Sequence, residues 1–228
     1  VILYLYLDKP AMPLLLTCSS RVSDSPDVLD ATRDPDCNLA IWERAPFADF
    51  APLTGGEPAD IRFETTPDDL PARLMDALVA SGFAAPELFE ALITDAALLA
   101  RRFCAAMDLS QIELRLEVVR TDSCRKFHAD YVSARLITTY AGAGTDWLDD
   151  SEVSRIAASG GEPERINRMV AFDVGLFKGK LATERPAIHR SPPIAGTGAA
   201  RLLLVLNPVQ KQGVDRPDSP FSRGGQVA

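Results

Sequence analysis

The chain contains two histidines, and both sit where they could share one ion. His128 and Asp130 stand one residue apart in Phe127-His128-Ala129-Asp130, and His189 follows in Ile188-His189-Arg190. Successive side chains of an extended segment point to opposite faces, so His128 and Asp130 project together while Ala129 faces away. A second imidazole from a neighbouring strand completes a facial set of two histidines and one carboxylate. Three coordination positions stay open for oxygen and a co-substrate, an arrangement suited to ferrous iron. His128, Asp130 and His189 are therefore the candidate metal ligands and the candidate catalytic centre. An H-x-D tripeptide alone is a common chance pattern; the weight comes from the joint use of both histidines, the apolar strand-like context and the residue that follows.

That residue is Arg201, which opens the run Leu202-Leu203-Leu204-Val205-Leu206. On a strand it shares a face with Leu203 and Val205, so its guanidinium points inward, where a buried cation demands an anion. The carboxylate of a small acid would answer it with two parallel hydrogen bonds. The bland alternative is a strand-end arginine in a surface ion pair, worth about 0 to 1 kcal/mol. Tyr140 and Thr138 lie on one face of the preceding strand and could hydrogen-bond a co-substrate, although simple packing explains them equally well. Arg190, next to His189, is a rival for the carboxylate role that adjacency turns to the opposite face. Cys124 shares the face of His128 in a regular strand, roughly 13 Å away at 3.3 Å per residue. A bend there would create a Cys/His/Asp zinc site, and a small buried thiol is its ordinary fate.

These residues need elements to hold them. From Gln111 the apolar period is two: Ile112, Leu114, Leu116 and Val118 alternate with Glu113, Arg115 and Glu117, as in a half-buried strand. Further strand-like runs cover residues 125–132, 134–140, 169–177, 187–190 and 201–206, with earlier ones at 38–42 and 61–63. Ahead of this series the period is helical. Thr66-Pro67-Asp68-Asp69 dresses a helix start, and Leu70, Leu74 and Leu78 form its apolar stripe up to Ser81-Gly82. A second stripe runs through Phe89, Ile93, Ala96, Ala100 and Phe103. The expectation is an α+β protein whose strands close into a barrel or jelly roll, with helices at about 67–81 and 86–107 packed against it.

Residues 18–36 are rich in Ser, Asp and Pro, so 1–35 is expected to be a loose arm. One domain then spans 36–208. Residues 141–168, with several glycines and many charges, form the longest weakly patterned stretch of the strand half, of the kind that often covers a site. The polar, Gly- and Pro-containing tail 209–228 is expected to be disordered. Val1 in place of a methionine suggests a fragment, a processed end or a misplaced start.

Composition narrows the function. A formal net charge of −8 argues against a surface that tracks phosphates, so no nucleic-acid partner is expected. The apolar run Val1–Leu7 is far short of the ~20 residues of a membrane span. Four cysteines without a CxxC pair fit reduced thiols and a cytoplasmic setting.

His128-x-Asp130, His189 and then Arg201 twelve residues on resemble the pattern of Fe(II)/2-oxoglutarate-dependent oxygenases. The resemblance implies a double-stranded β-helix (a jelly-roll or cupin-like barrel) holding Fe(II), with Arg201 binding the far carboxylate of 2-oxoglutarate. Residues 171–177 look like the strand that precedes the distal histidine in that superfamily. The sequence lacks the further Arg and Asn found in its DNA-repair members, so the resemblance does not extend to alkylation repair. More closely, Asp36-Cys37-Asn38-Leu39-Ala40-Ile41-Trp42, Phe127-His128-Ala129-Asp130-Tyr131-Val132, Gly144-Thr145-Asp146-Trp147-Leu148, Phe177-Lys178-Gly179 and His189-Arg190-Ser191-Pro192-Pro193 are similar to a bacterial family catalogued as domain of unknown function 1826. That similarity spans roughly residues 30–208 and carries no established activity.

The expected function is thus hydroxylation of a small molecule or a protein side chain by a ferrous, 2-oxoglutarate-using oxygenase. Two alternatives stand beside it: a zinc or other divalent-metal binding protein without turnover, and a cupin-like metal enzyme that uses no 2-oxoglutarate.

Overall fold

A computed structural model describes residues 19–122 and 124–209. The chain is mixed α+β. A seven-stranded sheet runs in the order β1 (Ser20–Ser23), β2 (Leu39–Trp42), β8 (Val174–Lys178), β5 (Ala134–Ala141), β10 (Arg201–Pro208), β4 (Ile112–Val119) and β3 (Ile61–Thr65). All neighbours in it are antiparallel except β1 and β2. A second sheet has three short strands in the order β7 (Asn167–Arg168), β6 (Asp146–Leu148) and β9 (Ile188–Arg190). No strand pair among the described residues joins the two sheets, so hydrogen bonding does not close them into a barrel.

The two faces of the large sheet do different work. Leu114, Leu116, Leu136, Tyr140, Leu176, Leu202, Leu204 and Leu206 turn toward helices α1 (Leu70–Ala80) and α2 (Phe89–Met107) and form the main core with Leu74, Leu78, Leu92, Leu99 and Phe103. On the other face a smaller cluster joins Leu39, Ile41, Ile137 and Phe177 to Met169 and Ala187, with Trp147 of the small sheet against it. The alternation in β4 and β10 creates this division: one register buries leucines under helices, and the other carries Arg201, Leu203, Val205 and Asn207.

Both helices end on backbone devices. Gly82 adopts φ +74°, and the Phe83 amide donates to Leu78 O at 3.2 Å, which satisfies a carbonyl that the helix leaves open. Asp108 plays the glycine's part after α2, at φ 53°, with the Leu109 amide on Cys104 O.

Several expectations need correction. Residues 19–35 are no loose arm: β1 pairs with β2 in register Ser20↔Leu39, and a 3-10 helix, Pro26–Arg33, buries Leu29 and Thr32 between them. Ser25 caps that helix by accepting from the Asp27 amide, so its Ser, Asp and Pro residues are capping chemistry and not linker composition. The stretch 141–168 holds β6 and a helix, α3 (Asp150–Ser159), capped by Asp149, whose side chain accepts from the Glu152 amide. The strand expected at 169–177 is broken at Phe172, left-handed at φ 75°, and only Val174–Lys178 is extended. The tail from residue 210 and residues 1–18 lie outside the described residues. No helix among those described is long and apolar enough to cross a membrane.

Candidate metal centre

His128 and His189 meet through the backbone. Each amide donates to the other's carbonyl at 3.0 Å, forming an isolated antiparallel bridge that extends the small sheet by one residue pair. In such a pair the side chains stand side by side on one face, and the imidazole centroids are 4.9 Å apart. Trp147 is the partner of His189 on its other flank, and the Phe177 ring packs 4.7 Å from the His189 ring.

This bridge is the one ladder contact of the segment expected to be a strand at 125–132. Cys124 bends the chain with φ 56°, and beyond His128 the carbonyls of Asp130 and Val132 accept from the Lys180 and Leu181 amides. That seam needs Gly179. A Cβ there would lie 2.2 Å from Val132 O and 2.8 Å from Asp130 O, a clash with backbone that could not move aside cheaply. Even without a regular strand, the i, i+2 spacing brings Asp130 round to the two histidines.

The ligand atoms of His128, Asp130 and His189 all lie within 4.8 Å of one another. His189 Nε2 is 3.2 Å from Asp130 Oδ2, and His128 Nε2 is 3.7 Å from Oδ1. The far nitrogens face backbone carbonyls, His128 Nδ1 at 2.9 Å from Lys126 O and His189 Nδ1 at 3.3 Å from Ala187 O. A carbonyl can only accept, so each Nδ1 carries a hydrogen and each ring turns its Nε2 toward the carboxylate. Asp130 Oδ2 is buried without a hydrogen-bond partner, its approach to His189 lacking hydrogen-bond alignment. Three lone-pair donors facing one another around an orphaned carboxylate oxygen are what a bound cation resolves, and the donor set fits a divalent first-row metal. Burial pushes the Asp130 carboxyl up, but contact with His189 and the charges of His189, Arg135 and His128 hold it below the usual range, ready to ligate as an anion. Access is from the His128 side: that side chain is 34% exposed, against 5% for His189 and 10% for Asp130.

Arg201 is fully buried beside this centre. Its Nε donates to Ala143 O at 2.6 Å, Nη1 to Ser191 Oγ at 2.7 Å, and Nη2 to Thr139 Oγ1 at 3.2 Å and Thr145 Oγ1 at 3.4 Å. All four acceptors are neutral, and among the described residues no carboxylate lies within ion-pair range. The carboxylate whose charge acts on it is Asp146, whose oxygens are taken by Arg168 at 2.5 Å and Arg190 at 3.0 Å. Burial pulls the Arg201 guanidinium down to about 10, against the raising influence of Asp146, and it remains protonated at neutral pH. Ser191 stands two residues beyond His189, roughly 7 Å along an extended chain. A cation seeking an anion and the metal ligands thus lie within one small molecule's length.

Two other expected residues are on the wrong side. Tyr140 belongs to the helix-facing core, where its hydroxyl donates to Asp95 Oδ2 at 2.7 Å. Thr138 shares that register of β5 and is fully buried, so neither can reach a ligand near Arg201. The face parity is what went astray: Leu203 pairs with Thr139, so Arg135, Ile137 and Thr139 share the face of Arg201. Thr139 is the hydroxyl that touches the guanidinium. Arg190 is committed to Asp146 and stacks over Phe127 at 4.4 Å. Cys124 is exposed and outside the ligand cluster, which leaves the mixed zinc site without its thiolate. The sequence does not single out Arg135, Ser191 and Thr145 as site residues: alternation puts Arg135 and Thr139 on one face of β5, and only the pairing with β10 decides which layer that face meets. A groove of about 710 Å³ runs along the outside of α2, lined in part by Phe47, Glu90, Ala91 and Leu98, on the far side of the sheet from the triad.

Residues 23–207 match the family described as protein of unknown function (DUF1826), and the chain belongs to that family. No curated protein sequence matches it. Among solved structures it is similar to the rice dioxygenase for auxin oxidation, at 13% identity and TM-score 0.41 over 82% of this chain and 81% of that one. The Arabidopsis thaliana dioxygenase for auxin oxidation 1, in binary complex with 2-oxoglutarate, is similar at 10% identity and TM-score 0.41 over 82% and 91%. A BsmA homolog from Methylobium petroleophilum is similar at 17% identity and TM-score 0.41 over 79% and 90%.

Proposed function

We propose that the protein is a non-haem Fe(II)- and 2-oxoglutarate-dependent oxygenase, with the two facing sheets as a distorted jelly roll around the centre. The observation that carries this reading is the approach of two imidazole Nε2 atoms to the Asp130 carboxylate, all three ligand atoms within 4.8 Å of one another, with the oxygen nearest His189 buried and without a hydrogen bond. His128, His189 and Asp130 would hold the metal, and the carbonyls of Lys126 and Ala187 keep both rings in the ligating tautomer. Arg201 binds and orients the carboxylate end of the co-substrate, with Thr139, Thr145 and Ser191 holding the guanidinium in place. Ile137, Phe177, Trp147 and Leu203 belong to the apolar cluster on this face, with the Phe177 ring against His189. When bound, ferrous iron would supply oxygen-activating chemistry, with dioxygen as the oxidant and 2-oxoglutarate, oxidatively decarboxylated, as the two-electron co-reductant, and the substrate, a small molecule or a protein side chain, would enter from the His128 side.

One detail favours a second reading. Arg201 already directs four of its five N–H groups at protein oxygens, leaving one Nη1 hydrogen without an acceptor among the described residues. A cupin-like metal enzyme without 2-oxoglutarate, or a zinc-binding protein without turnover, needs nothing more from it. Anaerobic loading with Fe(II) followed by titration with 2-oxoglutarate separates these. The proposal expects a visible iron-to-co-substrate charge-transfer band that Arg201→Ala abolishes. Absence of the band at saturating 2-oxoglutarate in metal-loaded protein would move the protein to the second reading.

A further inference from the structure

The Asp130 carboxylate is held asymmetrically, by a residue outside the triad. Arg135 lies in β5 on the face of Thr139, and its Nη1 donates to Asp130 Oδ1 at 2.6 Å. Its Nε donates to Asn207 Oδ1 at 2.8 Å, on the adjacent β10. Asn207 is itself oriented, because its Nδ2 donates to Glu113 Oε1 at 3.0 Å on β4. The other oxygen of Glu113 accepts from Arg62 on β3, at 2.9 Å from Nε and 2.6 Å from Nη2. A chain of charge-assisted bonds therefore crosses four neighbouring strands and ends on one oxygen of the candidate metal ligand. The opposite oxygen, Oδ2, is the one aimed at His189 and without a hydrogen bond.

We propose that Arg135 is the positioning residue of the metal centre: by occupying Asp130 Oδ1 it confines the carboxylate to one ligand oxygen, Oδ2, and so keeps the remaining side of the ion open. This rests on the reading of the triad as a metal site. The terminal torsion of an aspartate is broad and nearly two-fold, so packing alone does not choose between its oxygens. A guanidinium fixed at two points does. Asn207 supplies the second point, holding Nε while Nη1 faces Asp130. A two-oxygen carboxylate would instead fill a position that a co-substrate needs. A merely structural Arg135, acting as a buried counter-cation, would affect stability and leave the coordination of a bound metal unchanged.

Anaerobic titration of the full chain with Co(II) alone, followed by visible absorption, tests this in the wild type, Arg135→Gln, Arg135→Lys and Asn207→Ala. Wild type should bind one Co(II) per chain with the weak ligand-field bands of a five- or six-coordinate ion. Arg135→Gln should bind Co(II) about 10- to 100-fold more weakly, the usual effect of losing an outer partner of a metal ligand, with altered band positions and intensity. Arg135→Lys should restore part of the affinity, and Asn207→Ala should show a several-fold loss with a smaller spectral change. A folded Arg135→Gln with unchanged affinity and spectrum overturns the inference and leaves the metal site standing. If that variant does not fold, an unchanged Asn207→Ala overturns it in the same way. A wild type that binds no Co(II) overturns the metal reading itself, and this inference with it.

Discussion

The two faces of the large sheet bury charge in opposite ways. Under the helices, Asp95 is met by Arg44 through both oxygens, at 2.6 and 3.2 Å, and by the Tyr140 hydroxyl at 2.7 Å. Arg44 completes its set on Phe172 O at 2.7 Å and lies over the Trp42 ring. Arg44 and Asp95 are each other's counter-charge. On the other face the inventory does not close: Arg201 has only neutral acceptors, and Asp130 leaves one buried oxygen unbonded. A protein retains a buried ion without a partner at a cost of several kcal/mol unless something binds it. On the proposed reading, the helix face is architecture and the other face a site for a cation beside Asp130 Oδ2 and an anion beside Arg201.

The contrast gives substitutions of different size and sign. Asp95→Ala strands Arg44 in the core and should destabilise the fold by about 3 to 5 kcal/mol in chemical denaturation. A loss below about 1 kcal/mol would mean that the helix face does not depend on its pairing. His189→Ala should weaken divalent-metal binding by at least ~100-fold, about 2.7 kcal/mol, in a calorimetric titration, since a ligand matters no less than its outer partners. Arg201→Met is expected to lose much less stability than Asp95→Ala, because removing an unpaired buried charge relieves desolvation. It should nevertheless eliminate 2-oxoglutarate binding. Tyr140→Phe should cost about 1.5 to 3 kcal/mol, the worth of a hydrogen bond to a charged group, and leave 2-oxoglutarate binding untouched.

The smallest effect lies in helix α3, after β6. Hydrogen bonds from Arg155 and from the Glu164 amide hold the Glu152 carboxyl down at about 2, against 4.5 ordinarily. A carboxyl whose folded value is depressed contributes stability that is present above its unfolded value and lost as pH falls toward the folded one. Wild type should therefore lose stability from about pH 4.5 down to about 2. Glu152→Gln should show a shallower slope in that window in denaturation at stepped pH; an identical slope would remove Glu152 from the acid response.

How much of this was legible in the sequence differs with the kind of signal. The i, i+2 spacing of His128 and Asp130 survived even though residues 125–132 are not a strand, because two residues of nearly extended chain suffice to aim both side chains. The helices were legible from Leu70, Leu74, Leu78 and the stripe through Phe103, since burial under a sheet requires one apolar face. What escaped were features set by long-range pairing. Thr138 and Tyr140 were placed on the site face because nothing local says which register of β5 faces which layer; only the pairing Leu203↔Thr139 decides it. The arm at 19–35 looked like a linker because capping residues and linker residues are the same types. Arg135 looked like any strand arginine until Asp130 and Asn207 were brought to it from 5 and 72 residues away.

The most direct test of the metal centre is an anomalous difference map from crystals of the protein grown with Mn(II). The account predicts one strong peak within bonding distance of His128 Nε2, His189 Nε2 and Asp130 Oδ2, with Oδ1 still on Arg135. Full metal occupancy elsewhere, or no peak among these three side chains at saturating Mn(II), would contradict it.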